Sequence, residues 1–318
     1  MRGVARLPDL EDPKAFYDLL YQPGQWDDAI TEIRRRHGLT ETFVQSTTGS
    51  TVVFLSEEHC IKLHPPFPGF VASHHREVAA LECTAGTLPI ATPELRAHGE
   101  LGSWRYFVAS RLPGQSIDTV WKDLDAAVRL DLGMQLGEAI RVLHLLEASS
   151  VSERTQPWAE FRAEQRARCL HVEAEKDLMP DRLAELDRFL RRTDGMDTEP
   201  ARASLLHTEI GPSHVLVEDG RITGLIDFGD AMVGDPEYDL AAVGLFVTRG
   251  DRAAFRTFGL GYGLDAAALA DPERTSRLLR HGVLHRYGTL AWYLAVLEPP
   301  RGSLEDLAEF WFGVEPQH

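Results

Sequence analysis

The residues best suited to chemistry crowd into one stretch of the chain, 207–239. His207, Glu209 and His214 precede a segment reading HVLVEDGRITGLIDF, and Asp227, Asp230, Asp235 and Asp239 end or follow it. Asp227 lies in the apolar run LIDFG at the end of an expected strand, where a charge is expensive unless a cation or hydrogen-bond donors meet it. A hard divalent ion such as Mg2+ takes oxygen ligands and usually shares them with phosphates. Taken singly, Asp227 reads equally well as a turn residue and Glu209 as a solvated loop acid; taken with the other acids and histidines, the cluster points to a site.

Short elements must position these groups. HVLV, an Asp219-Gly220 turn and ITGLIDF form a β-hairpin. Ahead of it, residues 9–38 carry Phe16, Leu19, Leu20, Trp26, Ile30 and Ile33 at spacings that predict helix. From Glu41 the pattern turns to β-type runs: ETFVQ, the small polar turn 46–50, TVVFL, a polar turn at 56–58, and CIKL. A helix is expected over 73–86, and a strand at WRYFVASRL before the breaker pair Pro113-Gly114. Leu132, Leu136, Ile140, Leu143 and Leu146 predict one long helix over 124–148. A charged amphipathic stretch covers 158–192, a surface loop follows at TDGMDTEP, and helices fill the chain from Tyr238 to Phe312. The pattern is α+β and bilobal: a small β-rich N-lobe with a helical N-terminal extension over 1–113, and a larger, mainly helical C-lobe over 114–318 that holds the 207–239 cluster.

Composition narrows the partners. The 318 residues include 33 basic and 49 acidic side chains, a formal charge of −16. Such acidity argues against a binder of nucleic-acid backbones, which needs excess Lys and Arg to replace counterions, and against docking on anionic lipid. Residues 1–115 carry 11 basic and 14 acidic side chains (−3), the remainder 22 and 35 (−13). The acidic C-terminal part suits a cationic small molecule by attraction, although most of its acids, such as Asp265, Asp271, Glu273, Glu298, Glu305 and Asp306, read as solvated helix faces. Cys60, Cys83 and Cys169 form no disulfide framework or CxxC pattern. With no apolar signal core and no run of membrane-span length, a reduced cytoplasmic setting is the expectation. The 13 histidines, His74-His75 included, show no HExxH-type spacing and read mostly as surface residues. Trp292, Tyr293, Trp311 and Phe312 read as core rather than as an acceptor pocket.

The stretch HTEIGPSHVLVEDGRITGLIDFGDAMVGDPEYDLA resembles the core of the aminoglycoside phosphotransferase family, a branch of the protein-kinase-like fold. That family shows His-x-Asp, an Asn five residues beyond the Asp, and Ile-Asp-Phe/Trp some thirteen residues later; the positions here are His207, Glu209, His214 and Asp227. GDPEYDLA matches the family's Gly-Asp-Pro-x-x-Asp-Leu-Ala. SRLPG and EDLAEFWFG are closest in wording to hygromycin B kinases. The resemblance implies that Lys62 in CIKL grips nucleotide phosphates with Glu77 as its ion-pair partner. It implies too that the loop bearing Thr48, Gly49 and Ser50 lies over the phosphates, and that Ser110, Arg111 and Leu112 form the hinge that meets adenine. By the same resemblance Asp227 holds Mg2+, His207 braces the catalytic loop, and a carboxylate at 209 orients the attacking hydroxyl and takes its proton. The implied reaction moves the γ-phosphate of ATP or GTP to a hydroxyl of a small molecule, an aminoglycoside-type antibiotic first. A nucleotide-binding pseudokinase and a choline or homoserine kinase are the alternatives.

The sequence departs from the family at two places. Glu209 stands where the family has Asp, and its extra methylene moves the carboxylate by over an ångström unless the loop compensates, a displacement that can lower a rate about a hundredfold. His214 stands where the family has the metal-binding Asn, and imidazole suits Mn2+ or Zn2+ better than Mg2+.

Overall fold

The computed structural model describes residues 7–193 and 202–314; apart from Thr193, the surface loop expected at TDGMDTEP lies outside them. The N-terminal helical segment is two helices. Asp12 accepts the amide of Ala15 at 2.8 Å and caps α1 (Pro13–Leu19), whose first residue is proline. Gly24, at φ +76°, helps turn the chain into α2 (Asp27–His37). That helix has acids in its first turn and bases in its last, which complement its dipole, and Gly38 in the left-handed conformation at its end, which stops it there. Phe16, Trp26, Ile30 and Ile33 bury their faces with Trp104 against the sheet that follows.

That sheet holds β1 (Val44–Gln45), β2 (Val52–Leu55), β3 (His59–His64), β4 (Leu95–Leu101) and β5 (Trp104–Ser110), in the order β1-β2-β3-β5-β4 with every neighbour antiparallel. The central strand is β3, where Lys62 sits opposite Val53 on one side and Phe107 on the other. Helix α3 (Pro68–Thr84) crosses between β3 and β4. Three expectations need correction here. Helix α3 starts five residues before 73, because Pro68 serves as a first helical residue. ETFVQ contributes only Val44 and Gln45 as strand. LRAHGEL, not expected as a strand, is the edge strand β4; it alternates half-exposed with exposed residues and so lacks an apolar signal.

Beyond Pro113-Gly114 the chain forms β6 (Gln115–Ser116), α4 (Ile117–Val120), α5 (Ala126–Leu143), α6 (Ser149–Ser152), α7 (Trp158–Glu175) and α8 (Pro180–Arg192). The amphipathic stretch 158–192 is thus two helices, broken at Asp177, whose φ is +58°, and restarted at Pro180. Two small sheets follow: β7 (Ser204–Leu206) pairs with β10 (Met232–Gly234), and β8 (Val215–Glu218) lies between β6 and β9 (Arg221–Leu225). The β8–β9 turn has φ +49° at Asp219 and +72° at Gly220, the primed-turn geometry that Asp-Gly favours. Then come α9 (Glu237–Ala242), running into a π-helical turn over 243–247, α10 (Arg252–Tyr262), α11 (Ala266–Leu269), α12 (Pro272–Val283), α13 (Leu290–Val296) and α14 (Leu304–Phe312). Helices α5 and α10 cross at backbone contact. A methyl on Gly137 would lie 2.1 Å from the Phe258 carbonyl oxygen, and one on Gly261 would lie 2.3 Å from that of Met134. This crossing fixes the end of α5, and with it His144.

Tyr293, Trp311 and Phe312 are core, as expected, whereas Trp292 is partly exposed. The C-terminal acids are more than solvated faces. Asp265 and Asp271 cap α11 and α12, and Asp306 forms a capping box with Ser303. The histidines depart most from expectation: His64, His74, His144, His207, His281 and His285 are buried. No helix among the described residues is long and apolar enough to cross a membrane.

Candidate active site

Lys62 and Asp227 are 165 residues apart in the chain and 2.9 Å apart in space. The lysine side chain, only 8% exposed, leaves the centre of β3 and donates to Glu77 Oε2 at 2.7 Å and to Asp227 Oδ1 at 2.9 Å. It is therefore no surface lysine. Glu77 is held within α3, and Asp227 follows β9 with φ +67°, a left-handed turn that Asp tolerates better than most residues. The same turn packs on α3: Ser73 Oγ and Arg76 Nε donate to the Gly229 carbonyl at 3.1 and 3.0 Å. Burial disfavours charge on all three groups, and their mutual attraction opposes it. The ammonium is raised above its ordinary range because Asp227 and Glu77 outweigh burial. Burial raises Asp227, but Lys62 and His214 more than reverse this and hold it below the usual carboxylate range. Glu77 is pushed up to about 7, chiefly by burial.

The segment after β7 is clamped by one carboxylate. Asp239, fully buried, accepts the amides of His207 at 2.8 Å and Thr208 at 2.9 Å, and His144 Nε2 donates to it at 3.1 Å. Thr208 is held at φ +65°, a strained conformation for a β-branched residue. The His207 ring spans the loop: Nε2 donates to the Ile226 carbonyl at 3.0 Å and Nδ1 accepts the Glu209 amide at 3.3 Å. Burial first, and His214 next, lower its pKa to about 4, so it is neutral. Glu209 is half-buried, and burial, then Asp227 and Asp230, raise its carboxyl to about 8. His214 Nδ1 donates to the Glu209 carbonyl at 2.7 Å, so Nε2 keeps its lone pair in the neutral ring, 4.0 Å from Asp227 Oδ2. The Asp227 side chain, 37% exposed, offers the hard oxygen that Mg2+ favours. The His214 nitrogen is a softer donor, better matched to Mn2+ or Zn2+.

Residues 40–277 match the phosphotransferase enzyme family. The chain belongs to that family. Among curated relatives of this phosphotransferase-family protein, the homoserine kinase of Methylobacillus glycogenes is 28% identical over 210 residues, which is 64% of this chain and 59% of that kinase. The hygromycin-B 4-O-kinase of Escherichia coli is 41% identical over 44 residues, 14% of this chain and 13% of that one. The chain thus matches less than two thirds of either relative's length. The solved GDP complex of wild-type aminoglycoside 2′-phosphotransferase-IIIa shares the fold, with a TM-score of 0.68 at 15% identity over 89% of this chain and 98% of that one. The α+β, bilobal, kinase-like fold is the one expected.

The remaining expected positions of this family member lie on the loop before β2 and at the end of β5. Thr48, Gly49 and Ser50 form the exposed tip between β1 and β2, where Tyr21 Oη donates to the Gly49 carbonyl. At the end of β5, the Ser110 amide donates to Glu94 at 2.9 Å and the Arg111 amide to Glu58 at 2.8 Å. Two of the three amide donors expected near adenine are therefore engaged within the protein. Leu112 packs against Gly224, where a methyl group would lie 2.3 Å from its Cδ1.

Sequence reasoning left several partners without a role. Asp230 receives Arg76 at 3.1 Å, Arg286 at 2.6 Å and the Tyr287 hydroxyl. Arg76 adjoins Glu77 but was given no role; Arg286 and Tyr287 lie after α12, outside any motif. Asp239 sits within the quoted motif GDPEYDLA and His144 within the expected helix 124–148, and their buried polar positions were the available signal.

Proposed function

We propose that this protein moves the γ-phosphate of ATP or GTP to a hydroxyl of a small molecule. The observation that carries the reading is that Lys62 bonds both Glu77 of the N-terminal part and Asp227 of the C-terminal part, which focuses one buried cation at their junction. The two parts divide at Pro113-Gly114, giving lobes 1–113 and 114–318. Lys62, braced by Glu77, binds phosphate oxygens. The 48–50 loop covers them, and residues 110–112 receive the purine through what their backbone leaves free. Asp227, with His214 beside it, would hold a divalent cation, which when bound offsets phosphate charge. Glu209, in the ionised form that grows in as pH approaches 8, orients the acceptor hydroxyl and takes its proton as the O–P bond forms and the bond to the β-phosphate breaks; the nucleoside diphosphate leaves. His207 holds the loop that carries Glu209. Glutamate in place of the family's Asp reaches further, and the clamped 207–209 backbone is what sets that reach.

The acceptor we propose is an aminoglycoside-type antibiotic, supported by the names of the similar hygromycin-B kinase and the aminoglycoside 2′-phosphotransferase. A second reading is a small hydroxylated metabolite such as homoserine, favoured by the longer match to a homoserine kinase and by Arg76 and Arg286, which neutralise Asp230 near Glu209. The test is phosphate transfer from ATP and GTP, with Mg2+ or Mn2+, to a panel of aminoglycosides and hydroxy amino acids. Acceptor-dependent release of nucleoside diphosphate that is lost in Glu209→Gln supports the proposal. Nucleotide binding without acceptor-dependent turnover overturns it in favour of a pseudokinase.

A further inference from the structure

On the side of α3 away from Lys62, a cavity of about 400 Å3 opens between α3, the β4–β5 edge of the sheet and the end of α6. Its polar lining is unlike the rest of this acidic chain: His74 and His75 from α3, His98 from β4, Arg105 from β5 and Arg154 from just beyond α6. Two acids accompany them. Glu100 is paired with Arg105, and Glu82 is exposed on α3. His74 is only 3% exposed; its Nε2 donates to the Tyr106 carbonyl at 3.1 Å, while Nδ1 has no partner. Arg105 Nε is likewise buried without a partner.

We propose that this cavity is a binding site for a small oxyanion, a phosphate or carboxylate group, distinct from the nucleotide site. Guanidinium groups meet such groups with paired, charge-assisted hydrogen bonds. Arg105 and Arg154 approach the cavity from the sheet and from α6, His98 presents its imidazole ring there, and the imidazole of His75 adds a donor once protonated. The local field has the matching sign: after burial, the charges of Arg105 and Arg154 are what disfavour protonation of His75. A bound anion offsets those charges, so its binding takes up protons and tightens as pH falls. The groups that face His75 are His74 and Glu82 on its own helix, His98 and Glu100 on β4, Arg105 on β5 and Arg154 beyond α6.

The probe is inorganic phosphate added to the full chain without nucleotide, followed by calorimetry and by the histidine ring resonances at pH 6 and pH 8. Expected are saturable binding that is tighter at pH 6 and a loss of about tenfold in Arg154→Ala and in His98→Ala, the scale of one charged hydrogen bond. Lys62→Ala, in the other site, should bind phosphate at this cavity as the wild type does, and malonate in place of phosphate separates a carboxylate preference from a phosphate one. No saturable binding, or binding lost in Lys62→Ala and kept in Arg154→Ala, overturns the proposal. None of these readouts depends on phosphate transfer, so failure here leaves the proposed kinase activity standing, and the reverse holds as well.

Discussion

Glu209→Gln should make the protein more stable as pH rises while removing turnover. The carboxyl sits half-buried beside Asp227 and Asp230 and titrates near 8 rather than at its ordinary 4.5. Because the folded-state value is raised, the folded protein holds a proton that the unfolded chain releases between about pH 4.5 and 8. Folding stability therefore falls with pH through that window, and the penalty is complete above about 8. At about 1.4 kcal/mol for each tenfold step, the upper bound is on the order of 5 kcal/mol. Partial exposure and screening reduce this to an expected 1 to 3 kcal/mol, on the order of a third of the bound. Glutamine keeps the shape and has no charge to desolvate. Urea unfolding of wild type and variant at pH 5 and pH 8 reads the difference directly. The variant's advantage should be near zero at pH 5 and emerge by pH 8. An advantage that is the same at both pH values would refute the burial argument.

Asp239→Asn should destabilise the protein by about 3 kcal/mol, because an amide presents one acceptor oxygen to the His207 and Thr208 amides and to His144; thermal unfolding checks this, and an unchanged melting temperature would mean the clamp contributes little. Gly137→Ala should cost about 1 to 3 kcal/mol through overpacking of α5 on α10, and it should lower activity too, since α5 ends at His144; denaturation and turnover of the same sample are the measurements, and wild-type values in both would contradict the crossing.

Much of the fold was legible because its signals are local. The stripe on α5, the Asp-Gly turn at 219–220 and the apolar run into Asp227 each announce their own geometry. Strand β4 was hidden, since as an edge strand it buries little and shows no apolar alternation. The break between α7 and α8 rests on Asp177 in a left-handed turn, a conformation that composition does not signal. At the site, Lys62, Glu77 and Asp227 could be named from the family resemblance of their motifs, and the structure brings those three together. The Asp230 cluster could not be. It is assembled by long-range packing of α3 against the segment after α12, and no local pattern links Arg76 to Arg286. The buried histidines were misjudged for the same reason: polarity suggests exposure, but both ring nitrogens of His144 and the Nε2 of His207 find partners distant in sequence.

The central claim is that Lys62 and Asp227 converge to receive a nucleotide's phosphates and its divalent cation. Calorimetric titration of ATP and GTP into wild type and Asp227→Ala, each with and without Mg2+, tests it most directly. Wild type should bind a nucleotide more tightly with Mg2+ than without, and Asp227→Ala should lose that dependence. A variant whose Mg2+-dependent affinity equals that of the wild type would contradict the account.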